Sequence, residues 1–139
     1  MSFLPEEDQE FLVENGIDHQ ELTERLPDDT ERRAVLFPGF SFSGDLRRLN
    51  GGSLENIEAC DLLVVIPAGY STTKLDSFYT LPKLKRPDGR DPLNATVDSV
   101  FFGRAWQFWS RHFGDGDWRV GIDCLRTYIN YIRGELRKA

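Results

Sequence analysis

Ser110, Arg111 and His112 stand together in the stretch WQFWSRHF, residues 106–113, and they are the residues of this chain whose types and spacing could do chemistry. A serine hydroxyl is a weak nucleophile at neutral pH and needs a base within hydrogen-bond reach. His112, two residues on, is a candidate, because an imidazole changes charge close to neutrality. If residues 106–112 are extended, Ser110 and His112 share a side, about 6–7 Å apart at their Cα atoms. That separation allows a direct or water-bridged contact. Arg111 then points to the other side, where its guanidinium could hold a carboxylate or contact a partner. A base so placed typically accelerates attack by about a hundred- to ten-thousand-fold. Trp106 and Trp109 would pack the strand and fix its position.

A packing segment with polar edges competes with this reading. Phe102, Trp106, Trp109 and Phe113 step by four, three and four, which makes an apolar helical stripe. On a helix Ser110 and His112 diverge by roughly 200°. Ser110 is then an ordinary hydroxyl beside aromatic rings, His112 a histidine bonded to a carbonyl or carboxylate, and Arg111 a solvated cation.

The elements that must position this stretch follow from pattern. Residues 5–15 read as a short helix: Pro5 suits its start, Glu6, Glu7 and Asp8 the first turn, and Gly16 the stop. RLPDDTERR is a polar turn. AVLFPGF, residues 34–40, reads as a strand, and residues 41–59 as a connection. CDLLVVIP, closed by Pro67, is the plainest strand, a continuous β-branched and leucine run. DSFYTLP is a third strand, residues 83–94 a long loop, and ATVDSVFFG a fourth strand. Residues 118–136 read as a helix, with Ile122, Leu125, Ile129, Ile132 and Leu136 on one stripe and Asp117 as its N-cap. Helix, strands in series and helix predict an α+β domain with a four-stranded antiparallel meander.

The 139 residues suit a single domain, 1–139, and 40% hydrophobic with 29% charged residues is an ordinary globular composition. A net charge of −6 argues against nucleic acid as a partner, since a phosphate-binding surface needs a basic excess. The basic runs in 83–90 and 133–138 are short and read as solvated. No stretch is long and apolar enough to cross a membrane, and the acidic start MSFLPEEDQEF is unlike a signal peptide, so a cytoplasmic protein is expected. Cys60 and Cys124 are too few for a disulfide framework or a zinc site, and His19 lies far from His112, so no metal and no cofactor are expected.

VVIPAGYSTTKLDSFYTLPKLK resembles a segment of the ubiquitin-conjugating enzyme superfamily, which carries a Tyr-Pro…Pro-Pro pattern between its third and fourth strands. Tyr70 and Pro82 match that pattern; Ser71 and Leu81 replace prolines. Through LPEEDQEFL, IPAGY, FYTLP, WQFWSRH and WRVGID the chain is similar to a prokaryotic branch, family E. The resemblance implies a UBC-like fold with a helix, a four-stranded meander and a C-terminal helix. It also implies partners: a ubiquitin-like protein, an activating enzyme and, for a binding role, a deconjugating peptidase. Pathways of this kind are linked in bacteria with phage defence. The superfamily's chemistry is carried by a cysteine shortly upstream of a tryptophan that Trp118 matches. Neither cysteine here lies there. Counting back from Trp118 at a similar spacing reaches Ser110, which favours the extended reading and implies an oxyester in place of a thioester. VDSVFFG stands where the superfamily has His-Pro-Asn, and Asn94 is the nearest asparagine upstream. Two expectations result: a conjugating carrier using Ser110, His112 and Arg111, or a non-catalytic adaptor of the same fold.

Overall fold

The computed structural model describes residues 2–110 and 117–139. In chain order its elements are α1 (Glu6–Glu14), β1 (Gln20–Arg25), β2 (Glu31–Ser41), β3 (Arg47–Asn50), β4 (Ser53–Asn56), β5 (Ala59–Ile66), β6 (Phe78–Leu81), β7 (Val97–Phe101), β8 (Arg104–Trp109) and α2 (Leu125–Lys138). The expected α+β class holds. The expected four-stranded meander does not: six strands form one antiparallel sheet in the order β1-β2-β5-β6-β8-β7, and β3 and β4 pair apart from it.

The register puts one set of side chains on each face. Val35 lies opposite Val64, Phe37 opposite Leu62, Val64 opposite Phe78, and Phe78 opposite Trp109. These residues face the two helices. They form the main core with Leu12 of α1 and with Leu125, Tyr128, Ile129, Ile132 and Leu136 of α2. The alternate residues Ala34, Leu63 and Trp106 make a smaller cluster on the other face, with Leu36, Tyr79 and Phe101 packed around it. Because side chains alternate along a strand, Trp106 and Trp109 serve opposite faces. The run of aromatics at 106–109 is therefore a strand buried on both sides, and the helical stripe is excluded for these residues.

Turn chemistry fixes the hairpins. Phe102 and Gly103 both have positive φ, 51° and 75°, and join Phe101 to its partner Arg104. A two-residue turn of that hand matches the twist of paired strands. Gly51 and Gly52, at 58° and 90°, do the same between β3 and β4. β1 lies between the first helix and the polar turn, in a stretch to which the sequence assigns no element, and β3 and β4 lie where it reads as a connection.

The last helix starts later than expected. Residues 118–123 form turns, so Ile122 is exposed although it fits the stripe, and Cys124, not Asp117, is the N-cap. The Cys124 thiol accepts the Thr127 backbone N–H, and the Thr127 hydroxyl accepts the Cys124 N–H at 3.3 Å. A capping box of this form satisfies two of the donors a helix start leaves open.

Candidate functional site

β8 delivers Ser110 at the end of the sheet. Trp109 is fully buried, stacks on Phe78 at 5.5 Å between ring centroids, and donates its Nε1–H to Thr80 Oγ1 at 2.8 Å. Ser110 follows, half-buried, and its backbone N–H donates to the Asn94 carbonyl at 2.9 Å. Asn94 has φ of 56°, and the next N–H, of Ala95, closes a turn on the Pro92 carbonyl at 3.1 Å. Asn94, the upstream asparagine of the sequence, therefore meets Ser110 through its main chain. Arg111 and His112 lie outside the described residues, as does the pairing of His112 with Ser110.

Gln107 is a site residue that the sequence reading missed. It faces the main core and is fully buried. Its Oε1 accepts from Leu84 N–H at 2.8 Å and from Thr80 Oγ1 at 3.0 Å, and its Nε2 donates to the carbonyls of Leu84 and Ala95, both at 3.0 Å. All four positions of the amide are used. The available signal was parity: in a strand with Trp109 inward, position 107 is inward too, and a polar residue there must find partners.

A second cluster lies at the start of α2. The Tyr70 hydroxyl donates to Asp8 Oδ2 at 2.6 Å, and the Leu125 N–H to Asp8 Oδ1 at 3.3 Å. Trp118 donates its Nε1–H to the Ser71 carbonyl at 2.9 Å, with its ring 6.4 Å from that of Tyr70. Arg119 closes over Asp123: the Asp123 carboxylate accepts the Arg119 N–H at 2.6 Å and the guanidinium at 2.9 Å, and these hydrogen bonds hold its carboxyl below the usual range. Of the three residues that match the superfamily, Tyr70 and Trp118 are thus brought together. Pro82 is apart from them, beside Cys60, Asp61 and Arg104.

Burial pushes the Asp8 carboxyl up from 3.8, against the lowering effect of Tyr70 and Leu125, with Glu7 nearby adding to the rise and the Cys124 thiol opposing it. A carboxyl raised in the folded protein contributes stability that is complete below the unfolded value and is lost as pH rises through the folded one. Asp8→Asn removes this dependence. Its stability relative to wild type should therefore increase as pH rises from about 3.8, which urea unfolding at a series of pH values reads directly. A parallel pair of curves would rule the buried carboxyl out as their source.

Neither cysteine is placed as a nucleophile. Burial first, and Asp61 second, push the Cys60 thiol up to about 12, so it is protonated at neutral pH. Cys124 is buried and occupied as the cap of α2. The double change Cys60→Ala, Cys124→Ala should leave any covalent transfer in place, as seen by an unchanged adduct on a denaturing gel. Loss of the adduct with the fold intact would move the active site to a cysteine.

Helix, antiparallel sheet and second helix follow one another in the order that the resemblance implied, with Tyr70 against Trp118. The chain belongs to prokaryotic E2 family E, whose model matches residues 4–139. No curated protein and no solved structure matches it. In general terms the family implies a ubiquitin-like protein and an activating enzyme as partners. Among the described residues no helix is long and apolar enough to cross a membrane.

Proposed function

We propose that the protein is a cytoplasmic, single-domain carrier in a bacterial ubiquitin-like modification pathway, and that it takes the C-terminus of the ubiquitin-like protein as an ester on Ser110. The observation that supports this best is a contrast. Both cysteines of this E2-family chain are buried, while Ser110 stands half-buried where β8 ends, upstream of Trp118, with its backbone tied to Asn94. In the step itself Ser110 Oγ bonds to the terminal carbonyl carbon of the ubiquitin-like protein. The bond from that carbon to the activating enzyme breaks, the leaving group departs with its electron pair, and the serine proton passes to His112. Arg111 is assigned to a carboxylate of the partner. No cofactor, membrane or nucleic acid enters this reading.

The second reading is a non-catalytic adaptor that binds the ubiquitin-like protein or a deconjugating peptidase. It is favoured by the absence of a cysteine shortly upstream of Trp118 and of the superfamily's His-Pro-Asn. Reconstitution with a ubiquitin-like protein, its activating enzyme and ATP separates the two. A wild-type adduct seen by mass spectrometry supports the carrier; binding without an adduct makes the protein an adaptor.

A further inference from the structure

We propose that Gln107 is the positioning residue for Ser110: its buried amide clamps both ends of the loop at residues 84–95 to β8, and so holds the backbone on which the nucleophile is mounted. The part that concerns transfer rests on the carrier reading; the part that concerns the loop stands without it.

An amide on the core face of a strand is unfavourable unless every polar atom is paired. Gln107 meets that condition through one loop. β6 ends at Leu81, and at Leu84 the side chain of Gln107 takes over as partner, bonding both the N–H and the carbonyl as a neighbouring strand would. Its other N–H reaches the Ala95 carbonyl. One residue back, the Asn94 carbonyl takes the Ser110 N–H. The connection therefore runs from Leu84 through Gln107 to Ala95 and Asn94, and from there to Ser110.

The two loop ends are not equally dependent on it. Beside Leu84 there is a second anchor, because Lys85 and Arg47 exchange both backbone hydrogen bonds at 2.7 Å. Loss of the amide should therefore be felt most at Asn94 and Ser110. An error of about 1 Å in the position of a reacting group can cost on the order of a hundred-fold in rate.

Three proteins test this: wild type, Gln107→Met and Thr80→Val. Methionine keeps the length and removes every hydrogen bond of the amide. Valine removes the hydroxyl that bonds Gln107 Oε1 and Trp109, but leaves the amide's bonds to Leu84 and Ala95. Amide hydrogen exchange is measured at Ser110 and, as a reference, within β8. Single-turnover ester formation is measured against the concentration of charged activating enzyme. In Gln107→Met, exchange at Ser110 should quicken by about tenfold or more while the β8 ladder is unchanged. The maximal rate should fall by on the order of a hundred-fold with the half-saturating concentration unchanged. Thr80→Val should lose stability yet keep Ser110 protected and its rate near that of wild type.

Equal protection of Ser110 in wild type and Gln107→Met overturns the clamp. An equal slowing in Thr80→Val at an equal fall in melting temperature reduces Gln107 to general stability, and overturns the positioning role. If wild type forms no adduct, the carrier reading fails, and the exchange measurement still decides the clamp. Should Gln107→Met not fold, Gln107→Glu keeps the acceptor bonds, turns the donor to the Leu84 and Ala95 carbonyls into an acceptor, and is read in the same two ways.

Discussion

Ser110→Ala is expected to abolish the covalent adduct with the ubiquitin-like protein, and Ser110→Cys to restore it as a thioester that reductants cleave. An alcohol and a thiol differ in how much help they need: a thiolate forms readily near neutrality, a serine alkoxide does not. The wild-type ester should resist thiol reductants, yet be released by mild base or hydroxylamine, whereas an amide would survive both. His112→Ala should slow ester formation by roughly a hundred-fold or more if the imidazole takes the proton. The wild-type rate should rise with pH as the imidazole loses its proton, because only the neutral ring accepts. A denaturing gel with and without reductant reads each outcome. An adduct that persists in Ser110→Ala places the bond elsewhere.

Trp109→Ala carries the largest expected loss of stability. The indole is fully buried, lies in the main core and stacks on Phe78 at 14° between planes. Truncating a buried Trp to Ala costs about 3–5 kcal/mol, the sum of lost transfer energy and the cavity left behind. The Thr80 hydroxyl also loses the Nε1–H that it accepts. Trp118, only half-buried, should cost clearly less when truncated to alanine. Urea unfolding of both variants tests the ranking, and a loss of under about 1 kcal/mol at Trp109 contradicts its placement in the core.

These two residues also show how far the sequence could be read. LLVVI, residues 62–66, declares itself as β5 because residues on both faces of that strand are buried, so the apolar run has no gaps. QELTER does not, because β1 lies at the edge of the sheet and buries little; its register with β2 is supplied by the partner strand. The hairpin of β3 and β4 has no buried residue and so no apolar periodicity, leaving Asn50-Gly51-Gly52 as its one local mark. Besides β1, the sheet gains β8, which lies between β6 and β7; its pairing with β6 joins Phe78 to Trp109, 31 residues apart, which no local pattern reports. The start of α2 was misread because Ile122 continues the spacing of Leu125 and Ile129, although the chain turns there. At the site, the extended form of residues 106–109 was one of two readings that the residues left open, and the resemblance tipped the choice. The role of Gln107 was not legible, since its partners are 12 to 27 positions away.

The bond from Leu125 to Asp8 joins positions 117 residues apart, and this gives it a place in time. The hairpins close short loops and can form early; a contact across most of the chain must wait until both of its ends have been brought in, because ordering so long a segment is entropically costly before other contacts exist. The docking of α1 onto the start of α2 should then be among the last events of folding and the first to come undone. Asp8→Asn, in the pH range where it weakens the fold, should speed unfolding and leave the folding rate nearly unchanged, as a stopped-flow chevron would read it. The strands and the segment that carries Ser110 would thus be assembled before the N-terminal helix closes over them.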